Sequence, residues 1–297
     1  MRLPRTSPVV VGVNGTAAGL AAVRLAAREA VSRGRPLRIV HAFTWPNTQW
    51  PDPQGTEVHD RNKQYDLARR AGSQTVAEAV ATAKRSTPGV RVAGQLVDGL
   101  PDRVLLQLSR TAELVVLGDD DLATTPWLPA TSVLVQIAAR AFCPVVIARG
   151  PRPPAGPMLA AVDGSSWSLQ GLRHAAAEAR RHRVTVEIAY VVARAGERAE
   201  QEGRRILAAA VAAVPELGRS RTRLLAGAPG PALVRASGQA RMITLGPRGT
   251  HGAGLLGSVA REVLHRAACP TMFVHGAALP APRVPGRSTY NSNALAG

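Results

Sequence analysis

The sequence predicts an α/β protein of two tandem doubly wound domains, each a five-stranded parallel sheet with helices on both faces. Three observations carry this. The chain repeats itself; apolar runs rich in Val and Ile alternate with Ala-rich amphipathic stretches; and 45% hydrophobic content comes with only 3% aromatics. Small side chains let helices lie close on a sheet, and the strand–helix alternation calls for parallel strands joined by right-handed crossovers. A length of 297 residues suffices for two cores.

The repeat fixes the units. GVNGT at 12–16 returns as AVDGS at 161–165. GLPDRVLLQLSRTAELVVLG at 99–118 aligns without gaps to GAPGPALVRASGQARMITLG at 227–246, and AFCPVVIARG at 141–150 matches AACPTMFVHG at 267–276. The domains are therefore 1–150 and 156–278, joined by the proline-rich linker PRPPAGP at 151–157. Residues 279–297 lack periodicity and are expected to be a disordered tail.

In the first copy, strands are expected near 8–13, 37–43, 90–97, 113–118 and 143–149. In the second they fall near 158–162, 184–192, 220–226, 241–246 and 269–275. LAAVRLAAREAVSRG and LQGLRHAAAEARRH read as amphipathic helices between the first two strands of each copy. The first copy carries an insertion at 44–60, a lid, a partner surface or a plain loop. Cys143 and Cys269 are a repeat feature, each preceding a strand-opening proline, and read as small buried packing.

The net charge of +17 invites a nucleic-acid reading. All but two of the 37 basic residues are arginine, the exceptions being Lys63 and Lys84, and they are scattered along the chain. With no basic run and no aromatic stacking platform, nucleic acid is not the expected partner. Two cysteines, no signal-type core and no membrane-length apolar stretch lead to the expectation of a cytoplasmic protein without a membrane partner.

The chemistry concentrates in MITLGPRGTHGAGLLGSVA, 242–260, where an apolar strand feeds a glycine-rich turn before a helix. Such a turn brings backbone N–H groups and a helix dipole to an anion. Gly252, Gly254 and Gly257 spell G-x-G-x-x-G, but after a fourth strand, and no Asp or Glu follows Glu262 to hold a ribose. A dinucleotide fold is thereby excluded, and no lysine is near to make a P-loop. No hydrolytic or metal constellation is visible, so an enzyme is not expected. The carboxyl ends of the first and fourth strands remain, flanking the topological switch point. There Asp163 suits a ribose hydroxyl or an Asx-turn and cap for a helix starting near Trp167. Gly246, Gly249, Gly257 and Ser258 suit phosphates. Arg248 is either a phosphate contact or an exposed loop arginine, and His251 a solvated loop residue.

These residues, in this order and in tandem, resemble the universal stress protein family, whose ATP-binding members carry G-x2-G-x9-G-[ST] after the fourth strand. The resemblance covers about 6 to 277. It implies a five-stranded parallel fold in each copy, with Ala161, Val162 and Asp163 at the adenosine. It also implies Gly246, Arg248 and Gly249 at ribose and phosphates, and Gly257, Ser258 and Val259 at the phosphates. ATP, with or without magnesium, is the implied cofactor. Seven residues separate Gly249 from Gly257 where the family pattern has nine. Copy one departs further: Asn14 replaces Asp163, Asp121 the second glycine and Thr131 the third. Asp119, Asp120 and Asp121 repel a triphosphate unless a divalent cation intervenes. The implied function is stress-linked binding of an adenine nucleotide by the second domain; the alternative is an interaction scaffold of the same fold that binds none. Family members pair through the fifth strand, which implies an internal pseudo-dimer and allows a homodimer.

Overall fold

The structure, a computed structural model, describes residues 7–45, 57–120, 122, 128–150, 152–194, 196–249 and 254–275, with 57–61 described by backbone alone. The 279–297 tail, most of the 44–60 insertion, Asp121, His251 and Gly252 lie outside the described residues. The first unit runs β1 (Val9–Gly12), α1 (Ala17–Arg33), β2 (Leu37–Phe43), α2 (Glu57–Ser86), β3 (Val92–Asp98), α3 (Pro101–Ser109), β4 (Leu114–Leu117), α4 (Val133–Arg140) and β5 (Val145–Ile147). The second runs β6 (Met158–Ala161), α5 (Ser166–His182), β7 (Val186–Val192), α6 (Glu197–Ala212), β8 (Ser220–Ala226), α7 (Pro229–Ser237), β9 (Met242–Leu245), α8 (Ser258–Arg266) and β10 (Thr271–Phe273). No described helix is long and apolar enough to cross a membrane.

All ten strands form one sheet, in the order β3-β2-β1-β4-β5-β10-β9-β6-β7-β8. Pairing is parallel within each unit, so each is doubly wound, with β1/β4 and β6/β9 as the switch points. The units meet where β5 pairs antiparallel with β10, Val146 opposite Met272. The central strands are apolar at successive positions because both faces are covered. Val9 and Val11 face one core with α1, α2, α5 and α6, while Val10 faces the other with α3, α4, α7 and α8. The outer strands β3 and β8 are largely exposed, and β8 opens with the polar run Ser220–Arg223, which suits a sheet edge. The α2 helix starts at Glu57, inside the segment read as an insertion, and its 30 residues compare with 16 in α6.

The start signals are local. Thr16 caps α1 by accepting from Gly19 N at 3.1 Å, and Ser165 caps α5 from Ser168 N at 3.1 Å. Pro101 and Pro229 open α3 and α7 at a position where the missing N–H costs nothing. Cys143 and Cys269 are buried and unpaired, and burial pushes both thiols up to about 12, which makes them inert packing groups.

Joining the units buries charge on both faces of the sheet. Between α1 and α5, Glu29 and Glu178, both 2% exposed, lie side by side. Arg33 Nη2 donates to Glu29 at 3.0 Å and Glu178 at 2.7 Å, and His182 Nε2 lies 3.1 Å from Glu29. Burial alone would raise the Glu29 carboxyl, but the His182 bond and the Arg33 charge hold it below the ordinary value. On the opposite face Arg149 donates to the Leu264 carbonyl in α8, and the His275 ring nitrogens lie 2.7 Å from Ala138 O and 3.1 Å from Cys143 O. Ala138 and Leu264 are in last turns, whose carbonyls lack helical partners and attract cations. At both junctions the first copy supplies arginine where the second supplies histidine: Arg33 corresponds to His182, and Arg149 to His275.

Burial pushes His275 and His174 below the ordinary histidine value. The folded protein keeps them neutral while the unfolded chain takes up protons near pH 6.5, so acidification favours unfolding. Stability is therefore expected to fall as pH drops below about 6.5, and His275→Gln should flatten part of that slope. Urea unfolding midpoints across this range check it; a level or rising midpoint on acidification refutes the assignment.

Candidate functional site

Ala161 ends β6, and the chain turns at once: the Asp163 carboxylate accepts from Ser165 N at 3.0 Å and from the Ser165 hydroxyl at 2.5 Å. This is an Asx-turn, and it presents Asp163 at the mouth of the switch point. The helix cap itself is Ser165, so Asp163 orients the cap. Across the switch point β9 ends in Gly246, which needs its missing side chain for packing. A Cβ there would lie 2.8 Å from Trp167 Cβ in the first turn of α5. Gly249 comes closer to the chemistry, since its Cβ would lie 2.6 Å from Asp163 Oδ2. Glycine here lets the loop after β9 sit against the carboxylate without displacing it.

The loop returns through Gly257, whose N–H donates to the Pro247 carbonyl at 3.0 Å. That N–H is thereby taken up by the loop. Gly257 caps α8 without a side-chain bond. The backbone donors of Ser258, Val259 and Ala260, in the first turn of a nine-residue helix, have no helical acceptors. The partial positive charge of that terminus faces the cavity. Arg248 is exposed at the rim, its Nε at 3.5 Å from the Leu255 carbonyl, a long contact that leaves the guanidinium available to solvent.

Ala161, Val162, Asp163, Gly246, Arg248, Gly249, Gly257, Ser258 and Val259 all line one cavity of about 500 Å³. Ala189, Val191, Pro229, Leu233 and Leu245 give it an apolar wall. Sequence reasoning missed this wall and Tyr190, which also lines the cavity. The signal was available, because Tyr190 and Val191 close β7 at the carboxyl end that the switch-point rule favours. Burial, then the charges of Glu202 and Asp163, push the Tyr190 phenol above its ordinary value, so it stays a hydrogen-bond donor near neutrality.

The first unit has the corresponding cavity at about 250 Å³. Asn14 stands in the place of Asp163, and its amide donates to Asp120 at 3.2 Å. The Thr16 hydroxyl also donates to Asp120. A carboxylate thus occupies the rim position that Arg248 holds in the second unit. The rim position thus carries opposite charge in the two cavities, Asp120 in the first and Arg248 in the second.

The universal stress protein family matches the chain twice, over residues 6–149 and 155–275. A universal stress protein of Mycobacterium tuberculosis is 30% identical over 292 residues, covering 89% of this chain and 95% of the relative. A Mycolicibacterium smegmatis universal stress protein is 29% identical over 286 residues, covering 90% of this chain and 96% of its own. The crystal structure of a universal stress protein from Archaeoglobus fulgidus is similar over 92% of this chain and 98% of its own, at 13% identity and a TM-score of 0.62. At that identity the likeness is one of fold.

Removing the cap tests the local architecture. Ser165→Ala should cost about 1 kcal/mol of stability in urea unfolding. A loss near zero would mean that the Asx-turn holds the helix start without it.

Proposed function

The chain belongs to the universal stress protein family, and on that premise we propose that its second unit binds an adenine nucleotide, ATP foremost, while its first does not. The observation that carries this is the opposition, across one switch-point cavity, of the Asp163 carboxylate and the uncapped N-terminus of α8. A nucleotide needs both. Its ribose donates hydroxyls to a carboxylate, and its phosphates accept from backbone N–H groups at a helix start. The apolar slot between Val162, Ala189 and Leu233 takes a flat base.

Each residue then has a role set by its chemistry. Asp163 receives the ribose, oriented by Ser165. Gly249 gives the loop room beside it. Ser258, Val259 and Ala260 offer their N–H groups to phosphate, Ser258 adds a hydroxyl, and Arg248 supplies the cation at the rim. Magnesium would enter with the phosphates, since Asp163 is the one carboxylate among the described residues lining the cavity. Among the described residues the titratable groups lining it are Asp163, Tyr190 and Arg248, a set suited to holding a nucleotide more than to activating water. We therefore read a binding protein, with at most slow hydrolysis.

Equilibrium titration of the full chain with ATP tests this, and one nucleotide per chain is expected. Asp163→Ala removes charged hydrogen bonds worth about 1.5–3 kcal/mol each, so binding should weaken at least about tenfold. Gly257→Glu should abolish it by placing a carboxylate in the phosphate region. No binding below millimolar ATP would leave the interaction-scaffold reading in its place.

A further inference from the structure

The first unit's cavity keeps part of the second unit's chemistry and inverts the rest. Its apolar wall corresponds position by position: Val13, Leu105 and Leu117 line it where Val162, Leu233 and Leu245 line the other. The charges differ. The switch-point carboxylate has moved from the end of the first strand to the loop after the fourth, and the rim cation is gone.

Asp120 is held in place without being used up. Asn14 Nδ2 and the Thr16 hydroxyl both donate to its Oδ2, whereas its Oδ1 has no partner among the described residues and the side chain lines the cavity. The neighbouring cation Arg149 is committed elsewhere, to Asp119 at 3.5 Å and the Leu264 carbonyl. A phosphate entering here meets a carboxylate with no free cation beside it among the described lining residues. A hydroxyl meets an acceptor already fixed by two donors. The cavity also continues into a groove of about 620 Å³ beside α2, with which it shares His41, Ala42 and Pro101. Space is therefore available for a ligand body, while the Asp120 charge opposes a polyanionic arm.

We infer that the first unit binds a phosphate-free nucleoside, its base against the Val13–Leu105–Leu117 wall and its vicinal hydroxyls donating to Asp120. This rests on the nucleotide reading of the second unit only through the correspondence of the apolar walls. The chain would then hold two related ligands at once, one charged and one not.

The test titrates adenosine, AMP and ATP against the full chain carrying Asp163→Ala and Gly257→Glu, which together remove the second site's ribose acceptor and close it to phosphate. One adenosine should bind through Asp120, with AMP weaker by about 30-fold or more from repulsion by the carboxylate. Asp120→Asn, which keeps the shape, should weaken adenosine by about tenfold, and Asp120→Arg should reverse the preference toward AMP. Three results would each overturn the inference: no adenosine binding, AMP bound as tightly as adenosine, or adenosine affinity indifferent to both Asp120 variants. ATP stoichiometry on the unmodified chain reports the second site separately, so either proposal can fail without the other.

Discussion

Everything in this molecule hangs on the short antiparallel ladder between β5 and β10. Two parallel sheets, each with an unsatisfied fifth-strand edge, become one ten-stranded sheet when Val145–Ile147 pairs with Thr271–Phe273. The pairing removes two apolar edges that would otherwise template association. It also aligns the helices of both units into two continuous layers, so that each core runs across both copies. A chain built this way carries both copies edge to edge in one molecule.

That closeness brings charges into the interior, and the two copies have answered it differently. The paired glutamates at the α1–α5 contact call for positive charge, and the orphan carbonyls of α4 and α8 for hydrogen-bond donors. The first copy places Arg33 and Arg149 there, charged at any physiological pH, and the second places His182 and His275. The asymmetry extends to the ligand cavities, where Arg248 in one unit holds the rim position that Asp120 holds in the other. Duplication has preserved the packing and allowed the electrostatics to diverge.

The fold was readily legible because the signals that set it are local. Apolar runs bounded by turn residues marked the ten strands to within two residues at every end. The start of α2 was not, because Glu57 and its neighbours carry a polar pattern that reads equally as loop. At the site, the Asp163 and Gly249 positions stood out by residue type. Tyr190 and Leu233 did not, since an apolar residue near a strand end looks like core until the neighbouring elements are placed around it.

The sequence by itself determined the repeat, the parallel order, the positions of the turn glycines and the loss of Asp163 and Gly249 counterparts in the first copy. These follow from residue identity and spacing, which act over a few neighbouring residues. Only the tertiary structure decided that Gly246 serves the packing of Trp167 and that the Gly257 N–H is taken by Pro247. It alone decided that Asp120 turns into the first cavity to meet Asn14 and Thr16. Each of these is a contact between segments remote in the chain or folded back on a loop. Such contacts are fixed by how close the strands and helices come, and no local pattern encodes that distance.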